Sequence, residues 1–392
     1  MSICKIILKP KEEIRIEEGH PWVYSNEISK IEGTIQSGEI AYVYSHDNRY
    51  IGKGFLNTSS KIFVRILTRK DEPIDEAFFM NKITSANQAR LDLGYKNSYR
   101  AFFGESDGIP GLIVDKYGDY LSVQIVSLGI DMRKSLFVKL LVEIFKPKGI
   151  YERSDLQVRK KEGLELIKGV LYGEVPEEIH IYENHLKMTV DIINGQKTGF
   201  YLDQQDNHNA IKPYASNKTV LDCFSNIGGF GLHAAYYGAK SVTCVDVSEL
   251  ACQNIQKHAL LNGFMQVSTI QGDVFEVLRD FQRKSITFDT IVLDPPAFAK
   301  KQDSIKNAYN GYKDINLQAM KLINDGGYLY TCSCSHYMTI DLFLQMLQEA
   351  AKDANKIAQM VELRIQSKDH PALLGGDESL YLKCVVLRIK NK

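Results

Sequence analysis

The stretch Asp222–Cys223–Phe224–Ser225–Asn226–Ile227–Gly228–Gly229–Phe230–Gly231 constrains this chain more than any other. It follows the apolar run Thr219–Val220–Leu221 and precedes Leu232–His233–Ala234–Ala235–Tyr236–Tyr237, so it reads as strand, tight glycine turn and helix. Glycine has no Cβ, so such a turn lets backbone approach a ligand closely, and the helix start presents free N–H groups. The next apolar run, Ser241–Val242–Thr243–Cys244–Val245, ends at Asp246, an acid suited to accept both hydroxyls of a ribose.

Two ligand classes compete for this turn. Gly229-x-Gly231-x-x-Ala234 matches the loose dinucleotide pattern G-x-G-x-x-A, which would make the chain an oxidoreductase. The other candidate is S-adenosylmethionine (SAM). A carboxylate ahead of the glycines repels a pyrophosphate and attracts the methionine amine, so Asp222 favours the methyl donor. A turn that merely links strand to helix is the plainer alternative.

Strands and helices alternate from residue 219 onward. Thr219–Cys223, Ser241–Val245, Gln266–Gln271, Thr287–Leu293 and Gly327–Thr331 are strand candidates, with helices starting near Gly231, Ser248, Val274 and Ala308. This predicts a doubly wound, mainly parallel α/β sheet. Two late apolar runs, Ile357–Arg364 and Tyr381–Arg388, are expected to close it as an antiparallel hairpin. Acids fall at successive strand ends. Asp222 would meet the methionine amine, Asp246 the ribose and Asp273 the adenine amino group, although an acid after a strand is often only a helix cap. Phe224, Ser225, Asn226 and Gly228 of the turn, Val247 after Asp246, Asp294 and Gln204 complete the expected cofactor contacts.

The chain of 392 residues is too long for one small core. Residues 1–70 read as a small β module, with strands at Ile3–Leu8, Ile40–Tyr44, Arg49–Phe55 and Ile62–Leu67. Residues 74–190 read as a mixed α/β linking domain. They carry a helix over Ala77–Arg90, a hairpin through Ala101–Asp115, a helix over Ser135–Phe145 and strands near Gly149–Glu152 and His185–Ile192. Residues 191–392 hold the sheet described above. Just before its first strand, Gly195–His208 joins a glycine turn, two aromatics and a run of amides and acids. It is expected to lie over a cofactor as a flap or to open a helix.

Lys+Arg and Asp+Glu are both 48, so a nucleic-acid partner would be met by local patches rather than by net charge. Trp22, the only tryptophan, lies among Arg15, Lys30, Arg49, Lys53, Lys61 and Arg65, a mixture suited to phosphates and bases or to a small core with a solvated face. The seven cysteines include no CxxC pair, so no metal site or disulfide framework is expected. No run approaches a membrane span, and a reducing cytoplasm fits.

Two motifs carry sharper chemistry. Asp294–Pro295–Pro296–Ala297–Phe298 makes the backbone leave the sheet stiffly, holding a polar edge in place and offering Phe298 for stacking on a base. Lys300, Lys301, Lys306 and Lys313 follow and would suit RNA phosphates. The second motif is Thr331–Cys332–Ser333–Cys334–Ser335–His336. Carbon-5 of cytosine is a poor nucleophile until a thiolate adds at carbon-6, and cysteine is both a strong nucleophile and a tolerable leaving group. Buried structural thiols at a strand end are the alternative.

At these residues the chain resembles the PUA-domain-bearing bacterial 23S rRNA (cytosine-5) methyltransferases of the large-subunit methyltransferase I family. The resemblance rests on Gly19–His20–Pro21–Trp22, Gly104–Glu105–Ser106–Asp107–Gly108–Ile109–Pro110–Gly111–Leu112, Lys197–Thr198–Gly199–Phe200–Tyr201–Leu202–Asp203–Gln204, Asp294–Pro295–Pro296–Ala297–Phe298 and Ser333–Cys334–Ser335. It implies a PUA module, a linking domain and a Rossmann-like methyltransferase domain that uses SAM. It implies 5-methylcytosine formation in large-subunit rRNA, with Cys334 rather than Cys332 as nucleophile, and we expect Asp294 to grip the base edge. A homodimer is an open expectation. Other RNA cytosine-5 methyltransferases carry a second cysteine where this chain has Pro296, which leaves the proton acceptor unassigned. A nitrogen methyltransferase on the same fold and a non-catalytic RNA-binding protein are the rival readings.

Overall fold

A computed structural model of the chain describes residues 3–195, 198–298, 305–376 and 379–392. The fold divides into two compact units. The first comprises residues up to Ile181 with Thr189–Leu202 and Lys368–Ser379; the second comprises Tyr182–Met188, Asp203–Ser367 and Leu380–Lys392.

The first unit opens with β1 (Cys4–Leu8), α1 (Glu13–Glu17), β2 (Trp22–Tyr24), β3 (Ile28–Glu32), β4 (Ile40–Tyr44), β5 (Tyr50–Leu56) and β6 (Ile62–Thr68). These strands form one sheet in the order β2-β6-β5-β4-β1-β3, with only the β1–β4 pair parallel. A Cβ on Gly54 would lie 1.8 Å from the Arg65 carbonyl oxygen, so the tight β5–β6 pairing requires glycine there. The sequence pattern anticipated β1, β4, β5 and β6. It missed β2 and β3, which are short and bounded by turns.

The unit continues with α2 (Glu76–Asp92), β7 (Ser98–Phe103), β8 (Leu112–Tyr117), β9 (Tyr120–Ile125), α3 (Leu128–Asp131), α4 (Lys134–Phe145), β10 (Gly149–Ser154) and β11 (Ile167–Gly173). The strands form a sheet in the order β11-β10-β9-β8-β7. Phe79 and Ile83 of α2 and Phe137 and Leu140 of α4 pack on Leu112, Val114, Leu121 and Val123. β11 was not foreseen. It is an exposed edge strand held by pairing with β10, so no buried face imprints an alternation on its sequence. The loop between β7 and β8 is fixed by charge. Arg90 grips Asp107 through two bonds of 2.8 and 2.7 Å, and Arg100 grips the buried Asp115 through two of 2.8 Å. Burial alone would raise the Asp115 pKa, but Arg100 outweighs it and the net shift is downward.

β12 (Ile179–Glu183) and β13 (Leu186–Val190) pair as a separate two-stranded sheet. The second unit proceeds through α5 (Gln205–Asn209), α6 (Lys212–Ala215), β14 (Thr219–Cys223), α7 (Gly229–Tyr236), β15 (Ser241–Asp246), α8 (Glu249–Leu261), β16 (Val267–Gln271), α9 (Val274–Arg283) and β17 (Phe288–Leu293). It ends with α10 (Ile305–Leu322), β18 (Ile323–Ser333), α11 (Ile340–Asp353), β19 (Lys356–Arg364) and β20 (Lys383–Asn391). The sheet order is β16-β15-β14-β17-β18-β20-β19. The first five strands are parallel, and β20 runs antiparallel between β18 and β19. This is the α/β sheet with a C-terminal antiparallel hairpin that the sequence predicts.

Strand parity builds its two cores. Leu221, Cys223, Ile291, Leu293 and Leu329 face Leu278, Ile315 and Phe343. Val220, Val242, Cys244, Val292, Tyr330 and Cys332 face Ile211, Phe230 and Ile255. Both faces are covered, which is why these strands read as continuous apolar runs. No helix among the described residues is long and apolar enough to cross a membrane. Leu329 is fully buried in the sheet centre. Leu329→Ala should therefore destabilise the protein by about 2–5 kcal/mol, read as a lower urea midpoint by far-UV circular dichroism. A change under about 0.5 kcal/mol would contradict this packing.

Candidate active site

Asp222 occupies the exit of β14 and is 1% exposed. Its Oδ2 accepts the Gly231 N–H at 2.9 Å, while its buried Oδ1 has no partner among the described residues. Burial pushes its pKa up to about 7; the Gly231 N–H and His208 pull it down, and Asp294 pushes it up further. A buried carboxylate with one unused oxygen, held against its own charge, fits a cation. A Cβ on Gly231 would lie 2.5 Å from Cys244 Sγ and 3.0 Å from Asp222 Oδ2, so only glycine leaves this carboxylate in place.

The turn after Asp222 is strained. Phe224 and Asn226 have φ of 60° and 51°, the left-handed region that non-glycine residues rarely adopt. Ser225 holds it there: its hydroxyl donates to the Asp222 carbonyl at 2.6 Å and accepts the Val245 N–H at 3.0 Å. That hydroxyl thus ties the turn to β15. The strain has a result at Asp246. The Asn226 N–H donates to Asp246 Oδ2 and the Ser248 N–H to Oδ1, both at 2.9 Å, which orients the carboxylate at the exit of β15. Val247 beside it is 72% exposed. Asp273 caps α9 by accepting the Phe275 N–H at 2.8 Å. The capping alternative weighed for this acid is therefore realised.

Residues Leu202–Asn209 form a 3-10 turn and α5. Gln204, Asn207 and His208 are buried, so this part of the expected flap is a fixed wall. Gln204 Nε2 donates to Asp294 Oδ1 at 3.0 Å, and Gln204 Oε1 accepts from Asn207 Nδ2 at 2.7 Å, locking the amide orientation. Behind the wall lies a pair that no sequence motif announced. His208 Nδ1 donates to Glu183 Oε1 at 2.6 Å. Burial pushes the His208 pKa down, but Glu183 outweighs it, with Asp294 and Asp222 adding, so the net shift is upward. His233 is held near pKa 4 by burial. It donates from Nδ1 to the Gly229 carbonyl and takes Asn184 Nδ2 on Nε2. Glu183, His208 and His233 approach one another within 4.8 Å. Because these hydrogen bonds use both His233 nitrogens, the cluster is a hydrogen-bonded support for the turn.

In the sheet, Leu293 pairs with Cys223 on one side and Thr331 on the other. Asp222, Asp294 and the segment after Thr331 therefore share one sheet edge across three adjacent strands, about 10 Å in all. Pro295 and Pro296 carry the backbone away from β17. Phe298 packs on Tyr312, Phe275 and Phe224 with ring centroids 4.6, 6.2 and 6.4 Å apart. The two candidate thiols part company here. Cys332 lies within β18, is fully buried, and burial raises its pKa well above the ordinary range. β18 ends at Ser333, so Cys334 escapes the strand's parity. It is the only one of the seven cysteines that is not buried. Lys383 pairs with Ser333 across the β18–β20 ladder. His336 is exposed.

The residues assigned to RNA fall in both units of the fold. Trp22 belongs to the first unit, where its indole N–H donates to Glu105 Oε1 at 3.1 Å and Arg65 lies over its ring at 5.6 Å. Lys300 and Lys301 lie outside the described residues. Lys313 is engaged by Glu349 and Asp353 at 3.2 and 2.9 Å.

If Asp222 receives the methionine amine, as the sequence leads us to expect, cofactor affinity should depend on pH. A cationic amine at Oδ1 favours the carboxylate, so SAM binding should tighten up to tenfold per pH unit as pH rises towards about 7, then level off. Asp222→Asn should weaken binding by roughly 10–100-fold and abolish that dependence, as calorimetry would show. Without ligand, the folded state holds a proton that the unfolded chain releases near the ordinary 3.8, so Asp222 costs stability as pH rises from about 4 to about 7. The same substitution should thus raise the melting temperature more at pH 8 than at pH 5. Equal affinity at pH 6 and pH 8 in the native protein would refute this account.

Comparison with known proteins agrees with this geometry. Residues 6–69 match the PUA-like domain family and residues 156–388 the S-adenosylmethionine-dependent methyltransferase family. The ribosomal RNA large subunit methyltransferase I of Aeromonas salmonicida is 42% identical over 100% of both chains. That of Shewanella denitrificans is 43% identical over 98% of this chain and 99% of its own. Among solved structures, a protein described as a SAM-dependent methyltransferase from Streptococcus mutans covers 99% of this chain and 100% of its own, with a TM-score of 0.82 at 21% identity. Another, described as a methyltransferase in complex with S-adenosylhomocysteine, has a TM-score of 0.84 at 22% identity over 99% and 100% of the two chains. With a family model matched over residues 156–388 and full-length relatives above 40% identity, the chain belongs to the SAM-dependent ribosomal RNA large subunit methyltransferase I family.

Proposed function

We propose that this enzyme forms 5-methylcytosine in 23S rRNA of the large ribosomal subunit or its precursor, through a covalent adduct between Cys334 and carbon-6 of the target base. The observation that carries the reading is the accessibility of one thiol. Cys334 is the cysteine that is not buried, and it stands at the sheet edge that holds Asp222 and Asp294. Methyl transfer to a nitrogen needs no thiol, whereas carbon-5 of cytosine does.

In this reading Asp222 holds the SAM amine, Asp246 the ribose hydroxyls, and the turn from Phe224 to Gly228, with Val247, frames the nucleoside. SAM supplies an electrophilic methyl group. Cys334 Sγ gives an electron pair to carbon-6, the carbon-5–carbon-6 π pair moves onto carbon-5, and that carbon becomes nucleophilic. Once carbon-5 carries the methyl group, a base takes its proton, the double bond re-forms and the thiolate leaves. Asp294, oriented by Gln204, accepts a hydrogen bond from the base edge. Phe298 offers a ring to the extruded base. Trp22 with the β module, and Lys300 with Lys301, contact the RNA backbone and neighbouring bases.

Cys334→Ala should reduce tritiated methyl incorporation into rRNA by at least about 10³-fold, in line with loss of a covalent nucleophile, while leaving SAM affinity within a few-fold. Bisulfite mapping of rRNA from cells lacking the protein should lose one protected cytosine. A Cys334→Ala enzyme within tenfold of wild type would instead favour the rival reading, methylation of a guanine or adenine nitrogen.

A further inference from the structure

We infer that Lys383 is a positioning residue that acts through Cys334, accepting the thiol proton and then facing the thiolate as an ammonium. The inference rests on the reading of Cys334 as nucleophile and extends it to how that nucleophile is armed.

Lys383 is 3% exposed, an unusual place for a lysine to which no carboxylate among the described residues is bonded. Register brings it here: it stands opposite Ser333, the last residue of β18, on the antiparallel strand β20. Its Nζ donates to the Ser335 carbonyl at 2.6 Å and to the Tyr381 carbonyl at 2.8 Å. A neutral amine has two N–H groups and one lone pair. The two carbonyls, one of them next to Cys334 in sequence, use both N–H groups and leave the lone pair as the remaining corner. Burial lowers the Lys383 pKa to about 8, with Cys334 pulling the other way. Coupling is reciprocal, so whatever the thiolate does to favour the ammonium, the ammonium does to favour the thiolate.

Among the described residues, Tyr312 and Asp294 on this edge supply no cation, and His336, two residues beyond Cys334, is exposed. Tyr312 of α10 interacts with Cys334, but burial raises its pKa and its hydroxyl accepts from Ser333 Oγ at 3.1 Å. Asp294, at the exit of β17, acts on Tyr312 in the direction that raises the tyrosine pKa, and a carboxyl group supplies no cation. The step balances as a proton transfer: Cys334 S–H and Lys383 NH2 become Cys334 S⁻ and Lys383 NH3⁺. When the thiolate departs from carbon-6 at the end of the cycle it returns to the same ammonium.

The test is the pH profile of Cys334 alkylation by iodoacetamide in the full-length protein, followed by peptide mass spectrometry so that the six buried thiols do not interfere. Wild type should titrate below the ordinary thiol value of about 8.5. In Lys383→Met and Lys383→Gln the midpoint should rise by at least one unit, about a tenfold slower reaction at pH 7, with kcat falling at pH 7, KM little changed and part of the rate recovered at pH 9. Unchanged alkylation profiles in folded variants would overturn the inference. Should both variants fail to fold, Cys334→Ala supplies the reciprocal measurement. Competitive acetylation of Lys383 should then titrate at lower pH than in wild type, and an identical titration would overturn it. A Cys334→Ala enzyme that still methylated rRNA would end the cytosine reading alone, because the alkylation profile decides the lysine independently of substrate.

Discussion

Asp222 is a carboxylate placed where a carboxylate is costly. It closes the central strand, is almost fully buried, and has one oxygen bonded to the Gly231 N–H and the other unmatched. Much of the second unit is arranged to permit this. Gly231 makes room for it, Ser225 pins the turn above it, and His208, paired with Glu183, acts electrostatically to lower its pKa. Such a group costs stability when it is ionised and unmatched. The strained φ of Phe224 and Asn226 belongs to the same arrangement, since it aims the Asn226 N–H at Asp246.

The opposite end of the site depends on where one strand stops. Residues two apart in a strand share a face, so Cys332 and Cys334 would both point inward if β18 continued. It ends at Ser333, and only the second thiol is released from the core. The antiparallel β20 then brings Lys383 opposite that end point. Reversal of the last strand thus does more than close the sheet. A parallel strand in this position would present its other end to Ser333, and the lysine would stand elsewhere.

The first unit shows the same economy with different chemistry. The long Gly104–Leu112 motif, among the most specific parts of the family resemblance, is a turn held by Arg90 with Asp107, flanked by the pairing of Arg100 with Asp115. Its specificity is structural, because breaking one partner would leave a buried charge uncompensated. Trp22 is likewise drawn into contacts with Glu105 and Arg65, which fix the orientation of its ring.

Much of this was legible in the order of residues. Apolar runs ending in Asp222, Asp246 and Asp294 announced parallel strands, because strands buried on both faces leave a local signature. The pairing of late runs into a hairpin followed from their closeness along the chain. What the chain order left open required contacts between distant segments. That Asp273 is a cap, that Gln204 is part of a wall and holds Asp294, and that Glu183 meets His208 depend on separations no local pattern encodes. β11 stayed invisible because an exposed edge strand has no buried face to write into its sequence. The choice between two neighbouring thiols had a motif in its favour, but its physical basis, one sulfur inside the sheet and one beyond its end beside a buried lysine, exists only once the strands are paired in register.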